Sequence, residues 1–85
     1  MTNLTWTRDE GYCCEETAHL GDFAAVIIPP NSAYNDDAET WEIQTYDEMA
    51  DEYFEPINRV RGIPSKEGAK RVAATILEEL AAARK

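Results

Sequence analysis

The sequence predicts an α+β fold, in which an antiparallel β-meander of about four strands precedes a C-terminal amphipathic helix, all within one domain covering residues 1–85. Three observations support this prediction. Apolar and polar residues alternate with period two in several short segments. Turn-forming Gly and Pro residues separate those segments. From Ser65 onward the apolar residues recur instead at helical spacing.

The four predicted strands follow one another along the first half of the chain. They are residues 3–8 (NLTWTR), 12–18 (YCCEETA), 23–29 (FAAVIIP) and 40–46 (TWEIQTY). The third is apolar on both faces, which is typical of a central strand, and Pro29 and Pro30 end it because neither can donate a ladder hydrogen bond. The fourth strand alternates between apolar and polar residues, which places them on opposite faces. Trp41 and Ile43 lie on the apolar face, and Glu42 and Gln44 lie on the polar face.

The C-terminal helix is the clearest element of the sequence. Its apolar residues form one stripe, made of Ala69, Val72, Ala73, Ile76, Leu77 and Leu80. Ser65 is a favourable N-cap residue, and Glu67 lies near the positive end of the helix dipole. The exposed basic residues Lys66, Lys70 and Arg71 can pair with the protein's own acidic surface or with a second copy.

The segment YDEMADEYFE, residues 46–55, predicts a short inserted helix near 47–55. Its apolar residues follow a spacing that one face of a strand cannot satisfy: Tyr46, Met49, Ala50, Tyr53 and Phe54. Its carboxylates recur at i, i+4, where like charges repel by about 0.2–0.5 kcal/mol per pair. We therefore expect apolar packing to hold this helix and its acidic side to point outward.

Charge is distributed unevenly along the chain. Residues 9–58 carry fourteen Asp or Glu and no Lys or Arg, while the remaining residues carry eight basic and three acidic groups, so balances of −14 and +5 give the net charge of −9. Such a surface can serve solubility alone. The lack of basic residues over so long a stretch favours a surface directed at a basic partner, and it opposes direct binding of nucleic acid.

The sequence predicts no enzymatic activity, no cofactor and no metal site. His19 is the only histidine and lies beside a predicted turn, and neither Ser32 nor Ser65 has His and Asp partners at a suitable spacing. Cys13 and Cys14 are adjacent, which makes a disulfide between them awkward, so we expect reduced thiols. A zinc site using them and His19 lacks a CxxC pair and a fourth ligand. The loop NDDAE lacks the spacing of an EF-hand.

No targeting or membrane segment is expected. The opening MTNLTWT lacks the basic and apolar regions of a signal peptide. The longest apolar run, FAAVIIPP, is too short to span a bilayer. We therefore expect a cytoplasmic protein without membrane association, either a monomer or a homodimer.

Two stretches, one near each end of the chain, resemble a known group of proteins. The stretches LTWTRDEGY and GIPSKEGAKRVAATILEEL resemble small phage and prophage proteins of unassigned role, in which a Trp-containing β-meander is closed by a helix that opens S-x-E-x-A-K. The matching residues are Trp6, Trp41, Ser65, Glu67, Ala69 and Lys70. The acidic segment departs from that pattern and resembles an insertion. Phage proteins of this size and acidity include anti-CRISPR and anti-restriction inhibitors, several of which mimic nucleic acid, so the resemblance implies a function of that type and no catalytic site.

The predicted function is stoichiometric inhibition of a host nucleic-acid-targeting defence system, such as a CRISPR effector, in the host cytoplasm. Carboxylates four residues apart on a helix are separated by about 6 Å along its axis, a spacing of the same order as that of phosphates, so they suit a Lys/Arg groove. The predicted partner-binding residues are Asp36, Asp37, Glu39, Asp47, Glu48, Asp51, Glu52 and Glu55. The alternatives are an acidic adaptor for a basic partner unrelated to nucleic acid and a small phage accessory or structural protein.

Overall fold

A computed structural model describes residues 4–8, 15–30, 39–49 and 56–84. Its strands are β1 (Thr7–Arg8), β2 (Glu16–Leu20), β3 (Phe23–Ile28), β4 (Trp41–Asp47) and β5 (Asn58–Ile63), and its helix is α1 (Lys66–Arg84). All neighbouring strands pair antiparallel in one sheet of order β1-β2-β3-β4-β5. The predicted α+β meander with a C-terminal helix is confirmed.

The apolar strand β3 lies at the centre of this sheet, as its sequence predicted. Five of its six residues are buried, and only Val26 is half-buried. β2 joins it through a two-residue turn, because Leu20 pairs directly with Phe23. Gly21 in that turn has φ of 60°, a left-handed conformation that costs glycine nothing and other residues more. The turn and the central position of β3 therefore both follow from residues 20–29.

The strand register sorts residues onto two faces of the sheet, because directly paired residues point the same way. The helix face carries Phe23, Ala25 and Ile27 on β3 and Ile43 and Thr45 on β4. The opposite side, here called the far face, carries Ala24, Val26 and Ile28 on β3, Glu42, Gln44 and Tyr46 on β4, and Arg59 on β5.

Small residues bring α1 close to the helix face. Ala69, Ala73 and Leu77 are fully buried on one stripe of the helix, and Ala25 and Ile27 are fully buried on β3. Alanine at a contact allows the backbones of helix and sheet to approach, while Leu77 fills the space between them. Phe23, Ile43 and Ile63 complete the same buried cluster. The core therefore lies between one helix and one face of the sheet.

The N-terminus of α1 is capped as predicted. Ser65 accepts a hydrogen bond through Oγ from the backbone N–H of Gly68 at 3.0 Å, and its carbonyl oxygen accepts one from Ala69 at 2.9 Å. The Ser65 side chain thus bonds one N–H group of the first turn that has no partner within the helix, and the Ser65 carbonyl accepts the first i→i−4 bond of the helix. The helix begins at Lys66 because Ser65 supplies these acceptors.

Two predictions about the second half of the chain need correction. A fifth strand, Asn58–Ile63, was not predicted, because its exposed Arg59, Arg61 and Gly62 leave Val60 as the single apolar residue before Ile63. The prediction of a short helix near 47–55 is wrong for the first residues of that segment. Asp47 is the last residue of β4 and pairs with Phe23, and residues 48–49 form a turn. The rest of that segment lies outside the described residues.

Truncating the buried helix stripe should destabilise the fold strongly. We expect Leu77→Ala to lower the free energy of unfolding by about 2–5 kcal/mol, because it leaves a cavity under α1. The control is Val72→Ala on the exposed side of the same helix, with an expected change within about 0.5 kcal/mol. Urea denaturation followed by circular dichroism measures both, and equal effects would contradict the packing described.

Candidate functional site

The predicted partner-binding residues separate into two described groups. Glu39 is exposed and lies two residues before β4, whereas Asp47 ends β4 and Glu48 follows in an exposed turn. A seven-residue strand spans about 20 Å, so Glu39 and Glu48 lie at opposite ends of the sheet. The structure does not bring Glu39 together with Asp47 and Glu48 as one patch. The other five predicted residues, Asp36, Asp37, Asp51, Glu52 and Glu55, lie outside the described residues.

One end of the sheet gathers carboxylates from two turns, and we refer to Asp22, Asp47 and Glu48 as the acidic end. The backbone N–H of Glu48 donates to the carbonyl of Asp22 at 2.8 Å. Asp47 Oδ1 accepts from the N–H of Met49 at 3.0 Å, which turns the chain out of β4. These bonds hold the β2–β3 turn against the end of β4.

The acidic end also contains the only histidine of the chain. Glu48 Oε2 lies 3.4 Å from His19 Nε2, and both side chains are about half exposed. An exposed pair of this kind contributes little to stability. The chain returns to the same end at Ile57, whose N–H donates to the Thr45 carbonyl at 2.6 Å. Both flanks of the acidic segment 47–55 therefore lie at the acidic end.

A second polar feature, absent from the sequence-based prediction, lies on the far face of β4. Arg61 Nε donates to Glu42 Oε1 at 2.7 Å, Gln44 Nε2 donates to Glu42 Oε2 at 2.5 Å, and the Tyr46 hydroxyl donates to Gln44 Oε1 at 2.5 Å. We call Arg61, Glu42, Gln44 and Tyr46 the polar row. Each bond connects one member to the next.

The polar row affects the stability of the fold because the carboxylate of Glu42 is buried. The side chain of Glu42 is 1% exposed while that of Arg61 is 68% exposed. A buried carboxylate is costly without charge-assisted or hydrogen-bonded partners, and here each oxygen of Glu42 has one. The i, i+2, i+4 spacing of Glu42, Gln44 and Tyr46 was visible in the sequence. Their burial was not, since alternation alone suggests an exposed polar face.

Tyr46 ends the row as a protonated donor. Burial raises the pKa of its hydroxyl, Arg59 opposes that shift, and the carboxylates of Glu15 and Glu42 raise the pKa further. The hydroxyl is therefore protonated at neutral pH and donates a hydrogen bond to Gln44. This arrangement suits a fixed hydrogen-bond network and not a nucleophile or a general base.

A separate cluster joins β2 to the helix. Glu16 accepts a contact from Lys66 and lies 3.1 Å from Lys70 Nζ. Burial acts to raise the pKa of Glu16, but hydrogen bonds and charge from the two lysines outweigh it and lower the pKa below its ordinary value. Lys70 Nζ also lies 5.7 Å from the centre of the Trp6 ring. Of the two alternatives left open for Lys66 and Lys70, the structure shows pairing within the chain, and the partner is the buried Glu16.

The described residues offer no metal centre. No group of three or more His, Cys, Asp or Glu side chains in those ranges is arranged to hold an ion. Cys13 and Cys14 lie outside the described residues. No helix in the described part of the chain combines the length and apolar composition required to cross a bilayer.

Removing the arginine of the polar row should destabilise the protein. We expect Arg61→Gln to lower the free energy of unfolding by about 1–3 kcal/mol, because buried Glu42 loses a charge-assisted hydrogen bond. Arg59→Gln, two residues away and also exposed, should change it by about 0.5 kcal/mol or less. Chemical denaturation of both variants makes the comparison, and equal losses would mean that Glu42 does not depend on Arg61.

The Glu16 cluster should make stability depend on pH. Because its pKa is lowered in the folded state, ionised Glu16 stabilises the fold above its ordinary value of 4.5, and this contribution disappears as pH falls through the lowered pKa. We expect Glu16→Gln to cost about 1–3 kcal/mol at pH 7 and progressively less below about 4.5. The exposed control Glu79→Gln should show little loss at either pH. A penalty for Glu16→Gln that is independent of pH would contradict this assignment.

The comparisons with known proteins leave family membership open. The chain matches no family model, no curated protein and no solved structure. The resemblance to small phage proteins at both ends of the chain therefore stays a prediction.

Proposed function

We propose that the protein is a non-enzymatic, phage-type inhibitor that binds stoichiometrically to a nucleic-acid-targeting complex of a host defence system. Its carboxylates would occupy a Lys/Arg groove that otherwise holds DNA or RNA. The observation that carries the proposal is the net charge of −9 on 85 residues. Internal ion pairs remove equal numbers of both signs, so an excess of nine negative charges persists whichever pairs form.

The position of the basic residues supports a particular surface. Lys66 and Lys70 contact Glu16, at the end of the sheet where β4 begins. The acidic end is the opposite one, and both flanks of segment 47–55 lie there. Asp47, Glu48, Asp51, Glu52 and Glu55 are therefore the proposed contact residues. Asp36, Asp37 and Glu39 precede the other end of β4 and would form a separate contact.

Binding of this kind has a recognisable signature. A protein that replaces six or more phosphates should lose roughly a thousandfold or more in affinity between about 50 and 200 mM salt. DNA or RNA should compete with it for the same groove. Its own charge prevents it from binding nucleic acid directly, so competition arises only through the shared partner.

The second candidate is an acidic adaptor for a basic protein that does not bind nucleic acid. The separation of Glu39 from Asp47 and Glu48 by the length of β4 favours it, because carboxylates at both ends of a strand do not form one continuous row. An adaptor would share the salt dependence. Nucleic acid would not displace it from its partner.

Affinity capture with charge-reversed variants tests the proposal. The tagged protein is incubated with bacterial lysate, washed at low and high salt and with added DNA, and the eluted proteins are identified by mass spectrometry. We expect a nucleic-acid-binding defence complex that salt and DNA both release. Asp51→Lys with Glu52→Lys should abolish its capture, because four units of negative charge are lost from the proposed surface.

The matched control is Asp9→Lys with Glu10→Lys, which changes the net charge equally. These residues follow Arg8, which pairs with Glu16 at the end of the sheet remote from the acidic end. This control should retain capture. Equal loss in both double variants would indicate general charge attraction, and a partner released by salt but indifferent to DNA would support the adaptor.

A further inference from the structure

Strand β5 is an edge strand whose side chains are largely exposed. In the described sheet it pairs with β4 on one side only. Four of its six residues are exposed, Val60 is half-buried and Ile63 is buried. In an antiparallel ladder, every second residue directs its N–H and C=O away from the neighbouring strand. The outer edge of β5 therefore presents backbone groups that another extended chain can bond.

The helix-side flank of β5 is an apolar groove. α1 packs mainly over β3 and β4, so it leaves a gap beside the edge strand. Val60, Ile76 and Leu80 form the apolar part of this gap, and its polar lining comes from Asn58, Arg59 and Glu79. A strand added to β5 would direct alternate side chains into this groove.

The far-face flank of β5 is basic, in contrast to the acidic character of the whole protein. Arg59 pairs with Gln44 on the far face and forms no ion pair within the described residues. Arg61 donates through Nε to buried Glu42, which fixes its guanidinium, yet its side chain remains 68% exposed. Two arginines at i, i+2 point along the same side of one strand. They suit carboxylates at the same spacing on a neighbouring strand.

We propose that β5 and its groove bind an extended segment of a partner protein in which acidic and apolar side chains alternate. The segment adds to the sheet as a sixth strand, a common mode of peptide recognition. Its apolar side chains enter the groove of Val60, Ile76 and Leu80, and its carboxylates face Arg59 and Arg61. In the reverse register the carboxylates would enter the apolar part of the groove and the apolar side chains would face the arginines, so that register is disfavoured.

A second copy of this chain fits the same edge less well. Two β5 strands side by side would bring four arginines along one ladder, and like charges near one another destabilise a sheet. Each copy also carries a net charge of −9, which opposes self-association. An acidic peptide meets the opposite charge on β5.

The backbone of β5 defines how much of the edge is available. Trp41 pairs with Ile63 and Ile43 with Val60, so β5 has an extra residue at Arg61–Gly62. Gly62 has φ of 79°, and such a bulge bends the strand and interrupts regular pairing. The regular part of the edge is therefore Asn58–Val60, and Arg61 lies where the bulge begins. The proposed ligand is a short segment with two carboxylates that flank one apolar residue.

Nuclear magnetic resonance titration of the ¹⁵N-labelled full chain tests this proposal. The probe is a synthetic peptide of about eight residues in which glutamate and valine alternate, added at about 150 mM salt so that distant charges are screened. We expect saturable shifts confined to the amides of β5 and to Ile76 and Leu80. A peptide with serine in place of glutamate, and one with the same residues in two blocks, should bind at least about tenfold more weakly.

Charge variants of the protein complete the test. Arg59→Glu should weaken binding by about tenfold or more, as expected for reversing a charge-assisted contact. Its matched control, Arg71→Glu, makes the same change at an exposed position of α1 and should alter affinity by less than about twofold. Val60→Thr, which preserves shape but adds a hydroxyl, should weaken binding without loss of the folded spectrum.

Several outcomes would overturn the inference. These are no saturable binding up to about millimolar peptide, shifts located away from β5, or equal weakening by Arg59→Glu and Arg71→Glu. A concentration-dependent dimer that the peptide cannot dissociate and that Arg59→Glu disrupts would assign the edge to a second copy. None of these results depends on whether the acidic end binds a defence complex.

Discussion

The close approach of α1 to β3 determines where the other groups of this protein lie. Ala69 and Ala73 pack against the helix face of the sheet with no exposed surface, so the helix axis lies near the centre of the meander and not above its edge. That position brings Lys66 and Lys70 to Glu16 and leaves a gap beside β5. Larger residues on this stripe would move the helix away and separate the lysines from their carboxylate.

The sequence predicted the features that depend on local patterns. The apolar run of β3, the Gly21 turn and the Ser65 cap each arise from neighbouring residues, and each is present in the structure. The features it missed depend on residues distant in the chain. β5 is held by its pairing with β4 and has little apolar character of its own. The burial of Glu42 is compensated by a hydrogen bond from Arg61, nineteen residues later in the chain.

The candidate site shows the same limit. The charge imbalance could be counted from the sequence, and it remains the basis of the proposed function. What counting could not supply was the position of each carboxylate. Glu39 and Glu48 belong to one acidic stretch but lie at opposite ends of β4, and Glu16 and Glu42 are committed to internal pairs. Net charge follows from composition alone, whereas an acidic patch forms only where the fold brings carboxylates together.

The order of the elements also has a consequence for synthesis. Every strand of the described sheet pairs with its neighbour in sequence, so this sheet can assemble by successive hairpins, while its cover, α1, is translated after all five strands. At about 5–20 residues per second, the 19 residues of that helix take roughly one to four seconds to translate. Until α1 has been translated and has left the ribosome, it cannot cover the apolar side of the sheet. Residues 1–65 carry fourteen acidic and three basic groups, a balance of −11, and like charge of this size opposes association between two chains in which the sheet is still uncovered.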